Sequence, residues 1–371
     1  MATIELAGAT SRTRGRWALR DVRLAVADGE LLAVVGPSGA GKTTLLRLVA
    51  GLEDLAGGDL LIDGVSVTGV PTSSRDLAMV VQDAALLPHL DVRRNLAFPL
   101  RLRRMPPAEV AARVEAGAQV LGIRQLLDRR PDTLSAGEQQ MGAIGRVTVR
   151  RPSAYLMDEP LAALDPRERD RVRTELRRYV DDARVTTLYA TNDQREAMAL
   201  ADRIAVLRDG CLVEVGAPGE LYARPRSVFT AAFLGEPGMV LLRGRLEAGG
   251  RRAFVRVGGA DVEIGPLPDA LRRAWDAREV IAGLRAEHLA LATADGGTPA
   301  TVEAVEVLGA TNLVHVSLDG APAESPRVAV RVEPSTRPGR GTPVRVLATP
   351  ARVHLFDPDG ERSFWHGEPA T

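Results

Sequence analysis

Lys42 is the only lysine in a chain that carries 48 lysines and arginines together. It stands in GPSGAGKTT, residues 36–44, which fits the phosphate-binding pattern G-x-x-x-x-G-K-[ST]. Gly36, Gly39 and Gly41 let the backbone wrap closely around phosphate oxygens. The loop N–H groups and the N-terminus of a following helix add positive potential. Lys42 can then reach between the β- and γ-phosphates, where a compact ammonium fits and a broad planar guanidinium does not. The hydroxyl of Thr43 is suited to Mg²⁺. The candidate nucleotide site is therefore the run Gly36, Pro37, Ser38, Gly39, Ala40, Gly41, Lys42, Thr43 and Thr44.

Such a site needs an acidic partner, and SAYLMDEP (153–160) supplies one. At the carboxyl end of a parallel strand beside the loop, Asp158 can hold Mg²⁺, through water, and Glu159 can polarise an attacking water. A third element is TLSAGEQQMGAIGR (133–146). Ser135 and Glu138 form an S-x-x-E capping box. With the small residues Ala136 and Gly137, that capped helix start is also an anion site.

These groups have to be positioned. ELLAVV (30–35), AYLM (154–157) and TTLYA (186–190) read as short strands, the first two as apolar runs of the buried parallel type. LLRLVAGL follows the loop with helical spacing, and Gly51 is its expected stop. PPAEVAARVEAGAQVLG (106–122) opens on proline and repeats apolar residues at helical intervals. Acidic and basic residues balance at 48 each, against the basic excess of a dedicated nucleic-acid binder. Cys211 is the single cysteine, so no intramolecular disulfide can form, and a reducing compartment fits. The first residues lack the features of a secretory signal. No apolar run nears the roughly 20 residues of a membrane span. Work at a membrane would go through a partner.

The motif order is the phosphate loop, VVQDAALLPHLDVRRNLAFPL (80–100), LSAGE, LMDEP and LAALD (161–165). It resembles the ATP-binding subunit of an ABC transporter, from residue 3 to about 235. The resemblance implies ATP and Mg²⁺ as ligands and a head-to-tail pair of ATP-binding subunits, homodimeric or heterodimeric. Ser135 and Gly137 of one subunit would bind the γ-phosphate held by the other, and Asp165 would sit at the pair interface. Gln82 would contact Mg²⁺ and the water and link the site to two transmembrane permease subunits. An extracytoplasmic solute-binding protein would take part indirectly. The chain would lie peripherally on the cytoplasmic face of the cell membrane, with a helical subdomain over about 88–152.

Four positions depart from the family. Asn192, in ATNDQREA, stands where the family has a histidine. Asparagine offers one neutral amide donor, while a charged donor to phosphate is roughly twice as strong. Two readings follow: an ATPase in which Asn192 suffices, or an ATP-gated subunit of an unequal pair that turns over slowly. Ala136 and Glu138 replace a glycine and a glutamine. The aromatic that stacks on adenine falls near Thr13, leaving Arg14 or Trp17 as substitutes, although Trp17 equally suits an ordinary core.

After residue 235 the texture changes. RAFVRV, VEAVEVL, LVHVSL and PVRVLAT alternate between glycines and prolines, as strands of a small barrel do. SPRVAVRVEPSTRPGRGTP (325–343) reads as proline-rich loops, and the final GEPAT as frayed. His288, His315, His354 and His366 are too scattered for a zinc-type spacing and read as surface or packing residues. IAGLRAEHLALA and ARVHLFDPDGER resemble the regulatory domain of carbohydrate- and polyamine-type importers. The expected fold is an α/β phosphate-loop NTPase domain with a helical subdomain (1–235), then a small all-β, OB-like barrel regulatory domain (236–371). The resemblance favours carbohydrate as cargo, with polyamine or another small solute open. A DNA-repair-type ATPase is disfavoured by the charge balance and the lack of a coiled-coil insertion.

Overall fold

The structure, a computed structural model, describes residues 2–13, 15–81, 86–249, 252–292 and 296–367. The chain divides into two compact units, Met1–Pro218 and Gly219–Thr371.

In the first unit, β1 (Ile4–Thr13), β2 (Arg16–Val26), β4 (Gly57–Ile62) and β5 (Val65–Ser66) form an antiparallel sheet ordered β2-β1-β4-β5. A second sheet is ordered β10-β9-β3-β8-β7-β6. It is built from β3 (Leu31–Val35), β6 (Leu77–Val80), β7 (Ala154–Asp158), β8 (Thr186–Ala190), β9 (Arg203–Arg208) and β10 (Cys211–Gly216). All its pairings are parallel except β9 with β10.

β3, β7 and β8 are buried at every residue, which is why β3 and the first four residues of β7 read as unbroken apolar runs. Their side chains still alternate between two cores. Leu32, Val34, Leu156 and Leu188 face a core shared with α1 (Lys42–Ala50) and the antiparallel sheet. Tyr155, Met157 and Tyr189 face a core filled from α2 (Val92–Leu102), α3 (Pro107–Val120), α4 (Ala136–Thr148) and α5 (Pro166–Ala183). The helices α2, α3 and α4 fall between β6 and β7 in the chain. α6 (Gln194–Leu200) follows β8.

The division at 218/219 precedes the expected boundary at 235. After α7 (Pro218–Ala223), α8 (Val228–Phe233) buries Ala231 with Met239, Ile281 and Phe356 in a small cluster of its own, so it belongs to the second unit. That unit adds α9 (Asp269–Trp275) and eleven strands: β11 (Val240–Gly249), β12 (Arg252–Val257), β13 (Ala260–Gly265), β14 (Glu279–Leu284), β15 (Leu289–Ala292), β16 (Thr298–Val307), β17 (Asn312–Leu318), β18 (Val328–Val332), β19 (Pro343–Ala348), β20 (His354–Phe356) and β21 (Ser363–His366). They form two sheets, β13-β12-β11-β14-β20-β21 and β15-β19-β16-β17-β18, around one shared aliphatic core. The expectation of loops over 325–343 fails at β18. VAVRV pairs with β17 from Asn312↔Val332 to Val316↔Val328 and buries its first three residues. The flanking prolines hid a β-branched run that a neighbouring strand could cover.

Candidate active site

The strand order β9-β3-β8-β7 brings the carboxyl ends of β3, β7 and β8 side by side, where α/β sheets hold their ligands. The loop after β3 carries residues 36–41 and feeds α1, whose first residue is Lys42. Gly39 has φ +81°, open to glycine at no cost, and its missing Cβ would point into empty space. Gly36 is constrained by crowding: a Cβ there would run into the carbonyl oxygen of Leu207 at the end of β9.

Lys42 is 5% exposed, and its Nζ donates to the carbonyls of Gly36 (2.8 Å) and Pro37 (3.0 Å). Burial lowers its pKa, against the pull of Glu159 and Asp158. One residue on, Thr43 Oγ1 donates to Asp158 Oδ1 at 3.1 Å. Asp158 is 2% exposed, and burial raises its carboxyl above the ordinary range despite Thr43, Lys42 and Arg47. Glu159 is raised by burial as well, with Lys42 opposing and Asp158 adding to the rise. A desolvated pair of carboxylates beside one hydroxyl is a hard-oxygen donor set, short of positive charge. A divalent cation suits it.

Glu159 takes φ +45°, a left-handed conformation rare for a residue with a side chain. Its N–H donates to Ala190 O, tying the end of β7 to β8 (2.9 Å). The N–H of Thr191 in turn donates to Val34 O, at the end of β3 (3.2 Å). These ties carry Asn192 to Glu159, and its Nδ2 donates to Glu159 Oε1. Lys42, Thr43, Asp158, Glu159 and Asn192 thus meet in one place.

The other sequence candidates lie elsewhere. Ser135 caps α4: its Oγ accepts from Glu138 N (3.2 Å), and Glu138 accepts from Ser135 N (2.9 Å), completing the capping box. Gly137 packs on the turn before α5, where a Cβ would crowd Glu168 and Leu164. Asp165 caps α5 through the N–H groups of Arg167 and Glu168. Gln140 of α4 donates to Pro160 O (3.0 Å), so this helix is pinned to the turn that follows Glu159. Gln82 and Arg14 lie outside the described residues. Trp17 is no core residue: it is 44% exposed, with the Arg12 guanidinium 3.8 Å from its ring centre.

Sequence reasoning missed a clamp behind the site. Arg169 of α5 donates to Leu164 O (3.0 Å) and Asp193 (3.4 Å) and lies 3.8 Å from Glu196. Glu196 is 2% exposed and accepts from Tyr189 (2.8 Å) and Thr191 (2.9 Å). The loop of Asp165 and the loop of Asn192 are therefore tied together. Among so many arginines, nothing in the sequence singled out Arg169.

Residues 19–162 match the ABC transporter family, and residues 282–356 match the TOBE domain. The sulfoquinovosyl glycerol transport ATP-binding protein SmoE of Agrobacterium fabrum is 42% identical over 93% of this chain and 94% of its own length. The sn-glycerol-3-phosphate import ATP-binding proteins UgpC of Salmonella typhi and Escherichia coli are 42% and 40% identical, each over 96% of this chain and 98% of their own. Among solved structures, the dimeric ATP-binding cassette MJ0796 in a post-hydrolysis state bound to ADP and Pi overlays with a TM-score of 0.54 at 26% identity, over 58% of this chain and 98% of that one. With relatives this similar along nearly its whole length, the chain belongs to the ABC transporter family, as an ATP-binding protein with a TOBE domain in its second half.

Proposed function

We propose that this chain binds and hydrolyses ATP to energise an ABC importer of a carbohydrate or glycerol-phosphate-type solute. The observation that carries the chemistry is the meeting of Lys42, Thr43, Asp158, Glu159 and Asn192 at the ends of three adjacent strands. The names of SmoE and UgpC support the class of cargo.

The loop Gly36–Thr44 cradles the phosphates with its N–H groups, and Pro37, Ser38, Ala40 and Thr44 contribute backbone or hydroxyl contacts. The Lys42 ammonium exchanges the carbonyls of Gly36 and Pro37 for β- and γ-phosphate oxygens. Thr43 and Asp158, with Gln82, would hold Mg²⁺, which when bound draws charge from those oxygens. Glu159 accepts a proton from the attacking water as that oxygen bonds to the γ-phosphorus and the bond to the bridging oxygen of ADP breaks. Asn192 holds the Glu159 carboxylate in place and offers an amide donor at the reacting end. Two subunits pair head to tail, each lending Ser135 and Gly137 to the other's γ-phosphate, with Asp165 at their interface. Two transmembrane permeases carry the solute, and an extracytoplasmic binding protein delivers it. The chain works from the cytoplasmic face through those partners. No described helix is long and apolar enough to cross a membrane. The first unit, residues 1–218, does the chemistry, and the second, residues 219–371, regulates it. The alternative, an ATP-gated subunit with little turnover, finds no support among the relatives.

The test is steady-state phosphate release with Glu159→Gln as the blank. Turnover well above the blank is expected. Release equal to the blank, with the permeases present, refutes the reading.

A further inference from the structure

The contact between Asn192 and Glu159 has little of its own to hold it. Asn192 is exposed, and among the described residues its side chain forms no second hydrogen bond. Ordering an exposed side chain and its loop costs conformational entropy. Something must set the loop of Asn192 against Glu159, and the structure offers Arg169 of α5.

Arg169 grips both sides of that contact. On one side stands the turn after Glu159, where Ala162 N donates to Glu159 O (3.3 Å) and Leu164 N to Leu161 O (3.1 Å). Arg169 Nη2 donates to Ala162 O (3.5 Å) and Leu164 O (3.0 Å) of the same turn. On the other side, Nη1 donates to Oδ2 of Asp193, the residue next to Asn192 (3.4 Å), and Nε lies 3.8 Å from Glu196 Oε1. Glu159, its turn, Arg169, Asp193 and Asn192 close into a ring, and the donation from Asn192 Nδ2 to Glu159 Oε1 is its last link.

Local structure does not need this ring. Asp193 caps α6 through Oδ1, which accepts from Arg195 N (2.8 Å) and Glu196 N (3.3 Å). Glu196 engages the hydroxyls of Tyr189 and Thr191 through Oε2. Arg169 takes the two oxygens left over, Asp193 Oδ2 and Glu196 Oε1. Those contacts add nothing to the cap. They join the turn before α5 to the loop before α6. The joint needs a guanidinium, whose N–H groups reach both sides from one plane, whereas an ammonium is a single point.

We propose that Arg169 is a positioning residue for ATP hydrolysis, which fixes the loop of Asn192 against the turn of Glu159 and so keeps the amide on the base. This rests on the hydrolytic reading of the site and adds to it a group that acts only through Asn192.

The test is a double-mutant cycle on steady-state phosphate release by the full chain, permeases present, with Glu159→Gln as the blank. Arg169→Gln alone would strand Glu196, which is 2% exposed, as a buried unpaired acid, so it is combined with Glu196→Gln. In that charge-removed variant kcat should fall about three- to tenfold, as for loss of the Asn192 amide itself, with the KM for ATP held within about twofold. Two residues that act as one unit are not additive, so in an Asn192→Ala background the same charge removal should cost less than about twofold more. Arg169→Lys, which keeps the charge but not the fork, is the milder second variant and should lower kcat in the same non-additive way. Urea unfolding establishes that each variant is folded under the assay conditions. Losses that multiply, a raised KM with kcat unchanged, or a charge-removed variant as fast as wild type would each overturn the assignment of Arg169 while leaving hydrolysis standing. A wild type no faster than Glu159→Gln overturns the hydrolytic reading itself, and the assignment with it.

Discussion

Asn192 is where the chemistry can be tested most directly, because its amide donates to the carboxylate proposed as the base. Removing the amide in Asn192→Ala takes a neutral donor from an ionised acceptor, an interaction of about 1.5–3 kcal/mol. About half of that, lost from the transition state, lowers kcat by about three- to tenfold, since each 1.36 kcal/mol is tenfold in rate. The variant should also change the pH profile. Burial already raises Glu159 above the ordinary carboxylate range. The base form is therefore present above that raised value and is lost as pH falls through it. Losing a donor to the ionised form raises the value further, so the acid limb of the rate profile moves to higher pH. Asn192→His works the other way below the imidazole's own pKa, where it is charged. A charged donor is roughly twice as strong as the amide, so the rate should rise several-fold near pH 6, and the gain should shrink as pH passes the imidazole pKa of about 6.5. The assay is phosphate release between pH 5.5 and 8.5 for wild type and both variants, with Glu159→Gln subtracted. If Asn192→Ala keeps the wild-type rate and the wild-type acid limb, Asn192 plays no part and the geometry at Glu159 has been misread.

Three further outcomes follow from the same region. Gly39→Ala should cost only its left-handed backbone, about 1–2 kcal/mol, whereas Gly36→Ala must also push back the Leu207 carbonyl, about 1–3 kcal/mol of overpacking, and should abolish nucleotide binding. Urea unfolding and nucleotide titration compare the two, and an unperturbed Gly36→Ala contradicts the close approach. Asp158→Asn should abolish Mg²⁺-dependent turnover yet stabilise the nucleotide-free chain, by roughly 1 kcal/mol, because a desolvated charge is removed. The carboxyl is raised in the fold, so wild-type stability from this group is full below the ordinary carboxylate range and is lost as pH rises through the folded value; unfolding midpoints below the ordinary carboxylate range, at pH ~3.5, and at pH ~8 should therefore differ more for wild type than for the variant. Tyr189→Phe takes a donor from the buried Glu196 and should cost about 1–3 kcal/mol in urea unfolding, with a measurable loss of turnover through the Asn192 loop.

The parallel sheet was legible because its strands are buried on both faces: Leu31–Val35 and Ala154–Asp158 leave no polar face to confuse the reading. The helix ends were legible too. Gly51 closes α1 in a left-handed conformation, and Ser135 and Glu138 cap α4 as their spacing implied. Local pattern failed where a tertiary contact decides. Val328–Val332 became a strand because β17 offered it hydrogen bonds, and α8 joined the second unit because Met239, Ile281 and Phe356 were there to bury it. The Arg169 clamp joins residues 24 and 27 positions apart by side-chain charge alone, which leaves no periodicity in the chain. His354 and His366 were read as scattered, yet the pairing of β20 with β21 sets them opposite each other, Nδ1 to Nδ1 at 2.7 Å.

The lone lysine carries a practical consequence. Its amine is buried, its basicity is lowered, and it is already bonded to two carbonyls of its own loop. No other side chain in the protein offers an amine to an acylating reagent or a cleavage point to a lysine-specific protease. Apart from the terminal amine, modification of the whole molecule is then a readout of one loop. The rate at which Lys42 becomes labelled or cut measures how often the phosphate cradle opens, and added nucleotide should slow it without any engineered probe.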